Sequence, residues 1–311
     1  MDREVMISRL QGCFLALPTL YRDDLSLNLD GMRQHIDFLI DHGLRVGNTM
    51  LLVNGASGEF PVLSLEERLQ TVEMAVRNVE GKITTVVGAQ TLSTRDAVEI
   101  ARHAQSIGAD ALQVSPPFYY RATDDDVYEY LATIAEAAPK LGMVVYNTYW
   151  LGYALSREML ERLIGIPQVV GIKWATPCMK TYQSTLLQFA DRLSMIDNQL
   201  VPVMNRMLGG GGANLHPVNF WPEWGVNLWK LLDDGAWSEA QAEVNRVLLP
   251  YYDIVYDISD VTGGEGHIDK LALELIGLPG GRNRPPTRPV PPHFKDRLRQ
   301  FFLEIGVPLD R

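Results

Sequence analysis

Short apolar runs rich in β-branched residues recur along the chain. They lie at 13–19 (CFLALPT), 49–55 (TMLLVNG), 83–89 (ITTVVGA), 111–117 (ALQVSPP), 143–148 (MVVYNT), 169–174 (VVGIKW), 192–197 (RLSMID) and, more weakly, 211–217 (GGANLHP). Each has the length and composition of a buried strand. Between them lie stretches of helical period, such as 64–79 and 93–108, each opening with a serine able to cap the free N–H groups of the first turn. Strands that alternate with helices pair in parallel, and eight such units close into a barrel. The expected fold is therefore α/β, a (β/α)8 TIM barrel. The alternative is an open doubly wound sheet, but no G-x-G-x-x-G turn follows the first run, and the residue count to about 220 suits a barrel unit of about 250 residues. From about Glu223 onward the pattern is helical only, with a Pro-rich turn (RPPTRPVPP) before the last helix. This predicts a catalytic barrel over 1–222 and a C-terminal helical domain over 223–311.

Active sites of such barrels form at the C-terminal ends of the strands. The polar residues ending the runs are Thr19, Asn54 with Ser57, Gln90, Ser115, Tyr146 with Asn147, Lys173, Asp197, and Asn214 with His216. Among these, Lys173 is the one cation of fixed type. A lysine buried in a barrel mouth loses solvation, which favours the neutral amine, and a neutral amine can attack a ketone to form an imine. The other reading is a lysine that snorkels to solvent or holds a carboxylate across the mouth. Spacing alone does not separate the two.

Composition narrows the partners. The chain has 311 residues, 46% hydrophobic and 21% charged, enough for a large core. Its formal net charge is -10 and no lysine or arginine block occurs, which argues against nucleic acid or an anionic membrane and for a small, diffusible ligand. Cys13 and Cys178 have neither metal-ligand spacing nor the density of a disulfide framework, so they are expected to be reduced thiols in a cytoplasmic protein. No apolar run approaches the roughly 18 residues needed to span a bilayer, and the first residues lack the apolar segment of a signal peptide. No metal cage is expected. The acidic TDDDVYEY at Thr123 reads as a helix start, and GGGGAN (209–214), which lacks the lysine and serine of a phosphate loop, reads as close packing of helix on strand.

Several motifs in order carry a resemblance. They are NGASGEFPVLSLEER after the second run, VSPPFYY after the fourth, VVYNT at the fifth, VVGIKW at the sixth, and GAWSEAQ followed by LELIGLPGGRNRPPTRP near the C-terminus. A lone GxxGE would say little; the ordered set resembles the dihydrodipicolinate synthase and N-acetylneuraminate lyase family of class I aldolases, nearly end to end. The resemblance implies that Lys173 is the Schiff-base lysine of a 2-oxo-acid lyase using pyruvate, with no cofactor. It implies Tyr146 as the proton carrier, a phenol that must come within about 3 Å of the reacting groups. In NGASGE, Gly55 and Gly58 permit a tight turn whose N–H groups, those of Ala56 and Ser57, can face the substrate carboxylate, with the Ser57 hydroxyl as a third donor. Glu59 is assigned to holding that loop. A homotetramer, a dimer of dimers, is implied as well.

The chain also departs from the family pattern. Ala56 stands where many members carry a hydroxylic residue that passes protons from the tyrosine, so the relay is shortened or taken over by water. Leu151 occupies the place of the arginine that holds the acidic partner in the synthases, and Tyr149 and Trp150 make the neighbouring region aromatic. The expected second substrate is therefore an uncharged, aromatic or apolar aldehyde, although these rings could equally pack under helices. Tyr119 matches a tyrosine that reaches toward a neighbouring subunit's site. Asn214 stands where the family tends to place an aliphatic residue; it could bond a substrate hydroxyl or cap the next helix. Trp174 is expected to point outward into the core between barrel and helices. Two rivals remain: a dehydratase or aldolase of a 2-keto-3-deoxy sugar acid, and a non-catalytic member that binds a 2-oxo acid without turnover.

Overall fold

The computed structural model describes residues 2–309. Its strands are β1 (Gly12–Ala16), β2 (Thr49–Val53), β3 (Thr84–Gly88), β4 (Ala111–Val114), β5 (Gly142–Tyr146), β6 (Val169–Trp174), β7 (Ser194–Asp197) and β8 (Gly212–Asn214). They form a closed barrel in chain order, with β8 pairing parallel to β1 through Gly12 and Gly212. The expected (β/α)8 architecture is thus the one observed. Every strand residue except Tyr146 is buried. Strands buried on both faces carry no polar alternation, and this is why they read as continuous apolar runs.

The helices are α1 (Arg3–Arg9), α2 (Leu29–Asp41), α3 (Leu65–Val79), α4 (Thr94–Ser106), α5 (Asp124–Ala137), α6 (Arg157–Ile164), α7 (Met179–Phe189), α8 (Pro202–Met207), α9 (Pro222–Asp233), α10 (Trp237–Glu243), α11 (Leu249–Thr262), α12 (His267–Leu275) and α13 (His293–Ile305). Their starts are chemically marked. Ser64 and Glu67 form a reciprocal capping box at α3, Thr123 and Asp126 do the same at α5, and Ser93 accepts from the Asp96 N–H at α4. Each such cap contributes about 1 kcal/mol. The run 237–262 has helical period throughout, but a π-helical turn, Val244–Leu248, separates α10 from α11. Pro250 lies in the first turn of α11. Proline has no N–H to donate and its ring crowds the preceding turn, and a widened turn accommodates both.

The contacts group the described residues into two compact units. One comprises the segment up to Phe14, Val46–Leu52 and Ile83–Asn214; the other comprises Leu15–Arg45, Val53–Lys82 and the chain from Leu215 onward. In the first, the glycines ahead of β8 pack as the sequence suggests. A Cβ on Gly210 would overlap the Asn205 side chain of α8, and one on Gly212 would lie 2.6 Å from Met50 Cε. Only glycine lets helix and strands approach so closely there.

Candidate active site

The register of three neighbouring strands assembles the first unit's polar cluster. Tyr146 on β5 is paired with Lys173 on β6, and Lys173 with Ile196 on β7. Tyr146 and Lys173 therefore stand side by side at the C-terminal ends of their strands, where a barrel places its chemistry. The neighbouring position points the other way: Trp174, paired with Asp197, is 1% exposed and packs in the core, as strand alternation requires.

Lys173 does not snorkel. The residue is 5% exposed, and its Nζ donates to Asn214 Oδ1 at 3.1 Å. The same nitrogen lies 4.6 Å from the ring centroid of Tyr146 and 5.0 Å from that of Phe14. Burial beside two aromatic rings takes this amine out of bulk water, the setting in which a lysine is useful as a nucleophile. Asn214, at the end of β8, serves here as an acceptor for the amine. Of the two roles open to it in the sequence, neither describes this contact.

Two loops supply further partners of Tyr146. After β5, Trp150 meets the Tyr146 ring edge-to-face at 5.8 Å, and Tyr149 meets Trp150 likewise at 5.0 Å, so the three rings form a continuous ladder. Trp150 is 49% exposed, which places a large apolar face in solvent beside the tyrosine. Asn147 ties the start of this loop down: its amide donates to Ala175 O at 2.8 Å and its Oδ1 accepts the Leu155 N–H at 3.0 Å. After β7, Asn198 Nδ2 reaches the Tyr146 hydroxyl at 3.4 Å. Neither Asn198 nor Phe14 stood out in the sequence. Continuing the in-out alternation of β7 beyond Ile196 would have pointed Asn198 to the side of Lys173, and the same rule applied to β1 would have found Phe14.

Asp197, between them, faces away from Lys173. Its carboxylate accepts from Tyr182 Oη at 2.6 Å and from the N–H groups of Gln199 and Val201, both at 2.9 Å. Burial pushes its carboxyl up to about 6, while the Tyr182 hydroxyl, the two N–H groups and the charge of Lys173 pull it down. Burial beside Asp197 pushes the Tyr182 phenol well up, so Tyr182 stays a donor.

The turn Gly55–Ala56–Ser57 belongs to the other unit, with its own supports. Thr19 Oγ1 donates to Gly58 O at 2.7 Å, and the Glu59 N–H closes the turn onto Ala56 O at 3.0 Å. Ser57 is buried and its hydroxyl donates to Glu265 Oε2 at 3.4 Å. Glu59, in the left-handed region at φ 54, is bonded by Lys270 Nζ and by the Arg284 N–H at 3.0 Å. Lys270 and the Arg284 guanidinium lie on the Tyr21 ring, each 4.5 Å from its centroid, and Arg284 grips Glu67 with both terminal nitrogens. Burial pushes the Glu59 carboxyl up and the Lys270 ammonium down, and each counters the other's shift. Removing one partner of a buried pair strands the other charge, so Lys270→Met should lower the unfolding free energy by about 3–5 kcal/mol in urea titration. The double variant Lys270→Met with Glu59→Gln should recover part of that loss; no recovery would mean the pair is not coupled.

Tyr119 lies in an exposed loop after β4. It is 73% exposed, packs edge-to-face on Tyr120 at 5.0 Å, and borders a cavity of about 530 Å³ with Pro117 and Leu92. The structure thus brings together Lys173, Tyr146, Asn214 and Trp150, braces the turn Gly55–Ala56–Ser57 within its own unit, and leaves Tyr119 at the surface. Among the described residues no group of three or more His, Cys, Asp or Glu side chains could hold a metal ion, and no helix is long and apolar enough to cross a membrane.

Comparison with known proteins accords with this geometry. The sequence profile described as the dihydrodipicolinate synthetase family matches residues 9–303. A 4-hydroxy-tetrahydrodipicolinate synthase of Gluconacetobacter diazotrophicus is 29% identical over 302 residues, covering 96% of this chain and 97% of its own. An N-acetylneuraminate lyase of Rhizobium meliloti is 28% identical over 300 residues, covering 96% of each chain. Among solved structures, dihydrodipicolinate synthase from Aquifex aeolicus superposes with a TM-score of 0.85 at 23% identity, over 97% of this chain and 100% of that one, a likeness of fold.

Proposed function

Because the chain belongs to the dihydrodipicolinate synthetase family, we propose that it is a class I carbon–carbon lyase in which Lys173 forms an imine with the carbonyl of a 2-oxo acid. The observation that carries this reading is the buried Lys173 amine lying 4.6 Å from the ring of Tyr146 on the adjacent strand. The amine attacks C2 of pyruvate, a proton moves to the departing hydroxyl, and water leaves. The protonated imine then draws electrons from C3, which loses a proton to give an enamine, and the enamine carbon adds to an aldehyde. Cleavage runs the same steps backwards. Tyr146 carries the proton in carbinolamine dehydration and at the aldehyde oxygen. The substrate carboxylate is assigned to the turn Gly55–Ala56–Ser57 on the family motif alone.

For the second substrate we propose an uncharged, aromatic or apolar aldehyde. Leu151 stands where the synthases carry an arginine, and burying a second carboxylate without a partner costs several kcal/mol. The exposed Trp150, edge-to-face with Tyr146 and with Tyr149, offers apolar surface worth about 25 cal/mol per Å² removed from water. The test compares kcat/KM for condensing pyruvate with benzaldehyde, with aspartate semialdehyde and with a sugar aldehyde. Benzaldehyde should lead by about tenfold or more. A lead for either of the others would make Tyr149 and Trp150 packing residues and overturn the assignment. A tetramer in the cytoplasm completes the proposal, with the exposed Tyr119–Tyr120 pair as the surface that would meet a second copy.

A further inference from the structure

The loop after β7 is built to hold one side chain in place. Asp197 ends the strand pointing outward, where its carboxylate gathers the N–H groups of Gln199 and Val201 and the hydroxyl of Tyr182 on α7. Asn205 of α8 donates to that same hydroxyl at 3.0 Å. Gln199 accepts the Thr176 N–H at 3.0 Å, and the Asn198 N–H bonds Trp174 O at 3.0 Å, tying the loop to the end of β6. Within this frame Asn198 has little freedom of backbone, and its amide points at the Tyr146 hydroxyl, 3.4 Å away. Catalytic hydrogen bonds are often this long in a substrate-free site and shorten in the substrate complex.

We infer that Asn198 is a positioning residue for Tyr146, donating to the phenol oxygen so that the hydroxyl's own proton is directed elsewhere and the oxygen is better able to bear charge when that proton leaves. An N–H donor stabilises the charged form of the atom it bonds, and a bond to a charged group contributes more than one to a neutral group. This inference rests on the lyase reading above, because it acts through the proton transfers of Tyr146.

The enamine step provides an assay that needs no aldehyde: loss of the pyruvate methyl proton signal by NMR in D2O, as C3 exchanges. Asn198→Ala and the isosteric Asn198→Asp, which loses the donor, should each slow exchange about ten- to hundredfold. In a Tyr146→Phe background the same substitutions should cost less than about twofold, because the oxygen they act on is gone. A merely structural residue would cost the same factor in both backgrounds, and that result, or exchange within twofold of the wild type in the first background, would overturn the inference. Borohydride trapping separates this from the underlying reading. A pyruvyl adduct on Lys173 in every variant with no coupling to Tyr146 removes the role of Asn198 alone, whereas a wild-type protein showing neither adduct nor exchange removes both.

Discussion

Lys173→Ala should abolish pyruvate C3 exchange, lowering it by at least about 10⁴-fold, with no compensating gain from added pyruvate. The amine is the atom that bonds C2, so without it neither imine nor enamine exists. The loss should not reflect unfolding. Lys173 is 5% exposed, with Nζ bonded to Asn214 Oδ1 at 3.1 Å beside two aromatic rings, so removing its amine also removes the cost of burying it. Lys173→Met, which keeps most of the volume, should remain folded, with a cooperative melting transition, while being equally inactive. Exchange retained above one part in a hundred in either variant would mean that another group carries the chemistry.

Tyr146→Phe is the second large effect. It removes one oxygen and leaves the ring that faces Lys173 Nζ and the edge-to-face contact with Trp150. Exchange should fall by about 10²- to 10⁴-fold, the range of a positioned proton-transfer group, with the melting temperature little changed. Lys173 should still be labelled by borohydride, only more slowly, because the nucleophile is intact. Near wild-type exchange would assign the proton transfers to water or to another side chain.

The barrel was legible because its strands are buried on both faces. The run 169–174 coincides with β6 (Val169–Trp174), and the serines at 64 and 93 cap the helices they were read to start. Less regular elements carried weaker signals. Helix α1 precedes the first strand, α8 is only 6 residues long, and the π turn ahead of Pro250 interrupts a stretch that reads as one helix. Lys173 and Tyr146 were found by combining the strand-end rule with family motifs, and the contact between them follows from their paired register on β5 and β6. What the sequence could not display is pairing at a distance. Glu59 meets Lys270 across 211 residues, and the Asn198 side chain is aimed by hydrogen bonds that Asp197 makes with the loop and with Tyr182 of α7, whose hydroxyl also takes one from Asn205 of α8. Such contacts depend on closure of the fold and leave no local pattern. Asn214 illustrates the same limit: its position at the end of β8 was read correctly, but its bond to an amine two strands away depends on the curvature of the barrel.

The most direct test of the account is reduction with borohydride in the presence of pyruvate, followed by peptide mapping. One reduced pyruvyl group per chain is expected, on Lys173, absent from Lys173→Ala and absent without pyruvate. An adduct on another lysine, or no adduct while the protein remains folded, would contradict it.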